Sequence, residues 1–91
     1  MIKIVGNDIM RETEKIGWIA DNDIYNYEGK KIGYFTENEV YDFDGKRLAK
    51  ISGNYVYSGE HQLELEDITD DIVGVGLSNS CRVAIATFFG S

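Results

Sequence analysis

His61 and Cys81 are the only residues of their kinds in this 91-residue chain. The most chemistry they could supply together is a thiol nucleophile served by an imidazole base. Such a pair needs the base held against the nucleophile and oriented by a third group. Near His61 the chain offers only Glu60 and Glu64, while Cys81 stands beside Val83 and Ile85, neighbours that suit a small buried hydrophobe. The expectation is an exposed histidine, a core cysteine, no catalytic residue and no enzyme. Asp42-Phe43-Asp44-Gly45 opens like a calcium loop, but the twelfth ligand position counted from Asp42 falls on Gly53 instead of a glutamate. Gly74-Val75-Gly76 lacks the third glycine and the following helix of a dinucleotide site. No metal and no cofactor is expected.

Two groups of residues have binding chemistry. Six carboxylates (Glu60, Glu64, Glu66, Asp67, Asp70 and Asp71) lie in a stretch with no lysine or arginine between Lys50 and Arg82. They suit a basic protein surface or a cation, or a solvated edge that discourages strand-to-strand association. The aromatic residues are the stronger signal, since nine of the eleven fall between Trp18 and Tyr57. Trp18, Tyr25, Tyr27, Tyr34 and Tyr41 are the candidate binding residues, because a stripe of such rings can stack on peptides or sugars. Tyrosines paired across hairpins are more often structural, cross-strand pairs that serve the sheet.

The formal net charge of −7 argues against nucleic acid and anionic membranes as partners and favours a basic protein or peptide. A single cysteine excludes an internal disulfide. No segment has the length of apolar sequence a membrane helix needs, and the first residues lack a signal-peptide core. The expectation is a cytoplasmic chain forming a single domain over 1–91, although a mature secreted chain stripped of its signal would read the same. The oligomeric state is left open.

The elements that must position these residues are written in a repeat. Ile24-Tyr25 is followed by Glu28-Gly29-Lys30 and Ile32-Gly33-Tyr34; 16 residues on, Val40-Tyr41 is followed by Asp44-Gly45-Lys46 and Leu48-Ala49. Asn22, Asn38 and Asn54 keep the same spacing, and Ile16-Gly17-Trp18 extends the pattern backwards. Four units result over 9–58, two clear and two degenerate. An acidic residue followed by glycine, between β-branched and aromatic runs, signals a hairpin. With a two-residue loop, Tyr25, Tyr27, Ile32 and Tyr34 share one face; a three-residue loop with a glycine bulge shifts the pairing by one. Gly17, Gly33 and Ala49 recur at one position, marking either a close approach or a regular bulge.

This wording resembles the small bacterial proteins called four-fold beta flower proteins, whose short hairpin units are arranged with pseudo-four-fold symmetry. The resemblance covers about 9–58 and departs at Ser58-Gly59-Glu60-His61. It implies a fold and assigns no catalytic residue. A second resemblance, through Trp18, Tyr25 and Tyr27, is to hairpin repeats that bind choline or glucans on bacterial cell walls. The expected architecture is all-β: four hairpin units of 16 residues in a barrel- or flower-like meander, closed by C-terminal strands over 60–91. Cys81–Phe89 in particular reads as a strand, because its β-branched and aromatic residues outweigh the helical alternative. The expected function is a non-enzymatic module that holds a protein or peptide, the alternative being a carbohydrate- or cell-wall-binding module.

Overall fold

Four asparagine carbonyls close the bases of four hairpins. Asn7, Asn22, Asn38 and Asn54 accept the backbone N–H groups of Ile19, Phe35, Ile51 and Leu65 at 2.8, 3.0, 2.7 and 2.8 Å. The fold is a computed structural model that describes residues 1–90. Strand β1 (Ile2–Val5) leads into the hairpins β2 (Asp8–Arg11) with β3 (Glu14–Ala20), and β4 (Asp23–Asn26) with β5 (Lys31–Phe35). They are followed by β6 (Glu39–Asp42) with β7 (Arg47–Ser52), and by β8 (Tyr55–Ser58) with β9 (His61–Glu64). All pair in sequence order in one open sheet, and β10 (Ile72–Val73) adds itself parallel to β1 at the far edge.

The turns settle the loop length. Gly29 N–H donates to the Asn26 carbonyl and Asn26 N–H to the Lys30 carbonyl, both at 3.0 Å, so the loop is Tyr27-Glu28-Gly29. Gly45 and Asp42 repeat this with Lys46. The side-chain oxygens of Asn26 and Asp42 each accept two further backbone N–H groups inside the turn. Gly29 and Gly45 carry φ of +87° and +86°, a region open to glycine at little cost. Pairing therefore shifts by one, and Tyr25 faces Lys31 instead of Ile32.

Each of the first three hairpins then takes up one extra residue. Ile24 faces Gly33 and Tyr25 faces Lys31, leaving Ile32 unpaired; Ile16 and Leu48 are skipped in the same way before Gly17 and Ala49. The small residue is thus both beside a bulge and at a close approach. The two explanations hold together, because the bulge turns each strand inward at that point. Inward-facing Ile2, Ile9, Ile19, Ile24, Phe35, Val40, Ile51 and Val56 form the sheet's half of the core.

The other half is helical, which corrects the expected C-terminal strands. Within 60–91, His61–Glu64 is strand β9 as expected and Ile72–Val73 also joins the sheet, but Leu65–Thr69 is helix α1 and Asn79–Phe89 is helix α2. The barrel alternative is corrected as well, since the sheet stays open and α2 covers its inner face. Local propensity was overruled by capping and packing: Ser78 Oγ accepts the Cys81 N–H at 3.1 Å. Cys81, Val83, Ala84 and Ile85 are buried against the strands. Arginines fasten the helix at both ends. Arg82 donates to the carbonyls of Ile72 and Gly74 at 2.6 and 2.8 Å, and Arg11 donates to the carbonyl of Phe89.

Candidate functional site

With the core on the inner face, strand alternation sends the other side chains to an outer face, and there the repeat builds a lattice. In one row across the sheet, Asp8 faces Trp18, Trp18 faces Tyr25, and Tyr25 faces Lys31. The next row, one hairpin on, reads Asp23, Tyr34, Tyr41 and Arg47. Each row is an acid, two rings and a base. The rings stack: Trp18 on Tyr25 with centroids 5.6 Å apart, Tyr34 on Tyr41 at 5.0 Å.

Bases of one row meet acids of the next. Lys15 bonds Asp8 and Lys31 bonds Asp23, each at 3.1 Å, and Arg47 bonds Glu39 at the same distance. The lysines also lie over rings, Lys15 at 4.9 Å from the centroid of Trp18 and Lys31 at 5.1 Å from that of Tyr34. Asp8 and Tyr25 stand on strands flanking Trp18, so one ring face meets Tyr25 and the other meets Lys15. Tyr34 is enclosed in the same way by Tyr41 and Lys31. At the third site the Arg47 guanidinium, and then the Tyr41 hydroxyl donating at 2.9 Å, hold the Glu39 carboxyl below its ordinary range. The bond to Glu39 raises the Tyr41 hydroxyl above its own.

The candidate residues thus divide. Trp18, Tyr25, Tyr34 and Tyr41 come together as two half-buried stacked pairs on one face. Tyr27 does not join them; it is 70% exposed at the tip of its loop, and Phe43 at the next tip is 62% exposed. The third row departs from the pattern, reading Glu39, Lys50, Tyr57 and Gln62. Tyr57 therefore has a lysine where a ring would stack, and it and Tyr55 are 40% and 41% exposed. Sequence reasoning passed over Tyr55, Tyr57 and the acid–base pairs. The signal was present in the spacing of Lys15, Lys31 and Arg47, and in Lys50 standing 16 residues after Tyr34.

His61 and Cys81 stand on different elements, one opening the edge strand β9 and the other in α2. His61 is exposed at the β8–β9 turn. Cys81 sits under the turns holding Asn7 and Asp21, where burial pushes its thiol from 9.0 up to about 11. Among the described residues no three His, Cys, Asp or Glu side chains are grouped closely enough to hold a metal ion. No helix among them is long and apolar enough to cross a membrane.

An open meander of four hairpins with closed bases, glycine-bearing turns in the last three and a small inward residue in the first three, defines a class of hairpin-repeat proteins. The family model of the 4-fold beta flower protein matches residues 9–67, and the chain belongs to that family. The match takes in the fourth hairpin, at which the sequence resemblance stopped. Neither a curated protein nor a solved structure matches the chain.

Proposed function

We propose that this protein is a non-enzymatic interaction module of the cytoplasm that holds a protein or peptide on the outer face of its sheet. The observation that carries this reading is the lattice itself. A face that buries nothing inside the molecule still carries two stacked ring pairs and three charge pairs at repeated positions. Rings and charges fixed in place lose little freedom when a partner arrives, which favours binding.

The geometry favours a polypeptide over a sugar. A sugar ring needs an open aromatic face, and both faces of Trp18 and of Tyr34 are covered. Around Trp18 and Tyr34 what remains open is ring edges, hydroxyls and charged groups, which suit the polar and apolar mixture of a peptide. Selection from a displayed random-peptide library, run beside a glycan array, tests this. A consensus peptide that perturbs outer-face amides supports the module. Glycan binding lost on Trp18→Ala, with no peptide selected, overturns it.

A further inference from the structure

We propose that the outer face and free edge of the fourth hairpin dock an extended peptide bearing lysine or arginine. This rests on the interaction-module reading and names its partner and place. The first two rows are complete, each acid meeting a base and each ring meeting a ring. At the fourth hairpin completion fails: Tyr55 and Tyr57 are exposed and unstacked, and Tyr55 faces Glu64 across the ladder. Lys50, beside Tyr57, has Glu39 across from it.

Tyr55, Glu64, Leu65 and Glu66 line one cleft of about 470 Å³. Among the described residues Glu64 and Glu66 form no ion pair. The chain supplies no lysine or arginine between Lys50 and Arg82. A guanidinium or ammonium brought by a partner would meet two carboxylates and a tyrosine ring, while its methylene stem lies on Leu65. A second copy of the chain, itself at −7, fits this charge poorly.

The sheet has two ends, and only this one is open. At the β10 end the guanidinium of Arg82 takes the carbonyls of Ile72 and Gly74. At the β9 end the bond from Leu65 N–H to the Asn54 carbonyl sets the phase of the antiparallel ladder. Alternation then turns the main chain of Leu63 toward β8 and that of Gln62 outward. An added strand can pair there while its alternate side chains reach the cleft beside Glu64.

The test uses the full chain and a fluorescent, acetylated peptide of alternating arginine and serine, followed by anisotropy at about 0.15 M salt to screen long-range attraction. Saturable binding is expected. Glu64→Gln with Glu66→Gln should weaken it about tenfold, since a close charge pair is lost. Asp70→Asn with Asp71→Asn makes the same change in net charge outside the cleft and should weaken it less than about twofold. Amide shifts should centre on Tyr55 and on Gln62 to Glu66. Absence of binding, equal weakening by both double variants, or equal binding of a glutamate–serine peptide would each overturn the proposal. Shifts centred on Trp18 to Tyr41 would overturn this site and leave the module reading standing.

Discussion

Phe88 of α2 rests its ring on the backbone of Gly33, in the space a β-carbon would take. Phe89 does the same over Gly17, where an added β-carbon would stand 2.8 Å from its Cζ. The repeat places these glycines one hairpin apart, and the helix uses successive residues to fill the two positions. The third equivalent, Ala49, is buried. At the fourth, the residue facing Val56 is Leu63, which is 46% exposed. The four-fold pattern is thus strict where the helix lies and relaxed where it does not.

Gly33→Ala should destabilise the fold by about 1–3 kcal/mol, the range for overpacking. Urea unfolding followed by tryptophan fluorescence measures it. Combining it with Phe88→Ala should cost less than the sum of the two, because the ring no longer opposes the methyl. Relief stays partial, since the Tyr41 carbonyl oxygen would still stand 2.6 Å from the new carbon. Strict additivity would show that the helix does not press on this position.

Gly45→Val should cost about 1–3 kcal/mol for a different reason. Here space is free, with only the Tyr34 hydroxyl 3.7 Å away, but φ is +86° and a β-branched residue resists it. Gly45→Asn should cost less, because asparagine tolerates this region. Equal midpoints for the two variants would contradict the turn geometry.

The stacked pairs make a quantitative claim. A double-mutant cycle on Tyr34 and Tyr41 should yield a coupling of about 0.5–1.5 kcal/mol, as for other offset aromatic pairs. Tyr27 with Tyr41 should show none, since Tyr27 stands apart at a loop tip. The coupling reports structure; binding is read separately through the outer-face amides.

Cys81 gives a pH dependence. Burial raises its thiol from 9.0 to about 11, against the pull of Arg82, so the folded state holds a proton that the unfolded state loses first. Its contribution to stability is therefore complete below about pH 9 and declines as pH rises toward 11. Cys81→Ala removes this contribution. Unfolding free energies of the two proteins should then converge or cross as pH rises from 8 to 10.5, the tyrosines being common to both. A difference independent of pH would contradict burial of the thiol.

The hairpins were legible because Glu28-Gly29 and Asp44-Gly45 state a turn in two residues. Loop length was not, since Asn26 and Asp42 select the three-residue loop through side-chain bonds that no strand pattern encodes. That single shift moves Tyr27 out of the aromatic face and leaves Ile32 in a bulge. The C-terminal helix was misread for the opposite reason. Val83, Ile85, Thr87, Phe88 and Phe89 favour a strand locally, yet Ser78 before the run and Gly90 after it are helix-capping residues. Apolar Cys81, Ala84, Ile85 and Phe88 also fall at helical spacing. The candidate rings were visible as a stripe, but their partners were not, because a bulge decides which residue each one faces.

Arg82 joins stability to solubility, and both can be tested with one change. Its guanidinium satisfies two carbonyls at the sheet's far edge and ties β10 to α2. Arg82→Met keeps the aliphatic bulk but leaves those carbonyls unbonded. Charge-assisted bonds are worth about 1.5–3 kcal/mol, so a loss of that order is expected in urea unfolding. The freed edge carries the run Ile72-Val73-Gly74-Val75-Gly76-Leu77, which has no charged residue, and Val75 is fully exposed. Unguarded, uncharged edges pair with one another. The variant should therefore also show larger species by light scattering at concentrations where the parent chain shows none. A variant that loses stability without associating would mean that Arg82 fastens the helix but does not guard the edge.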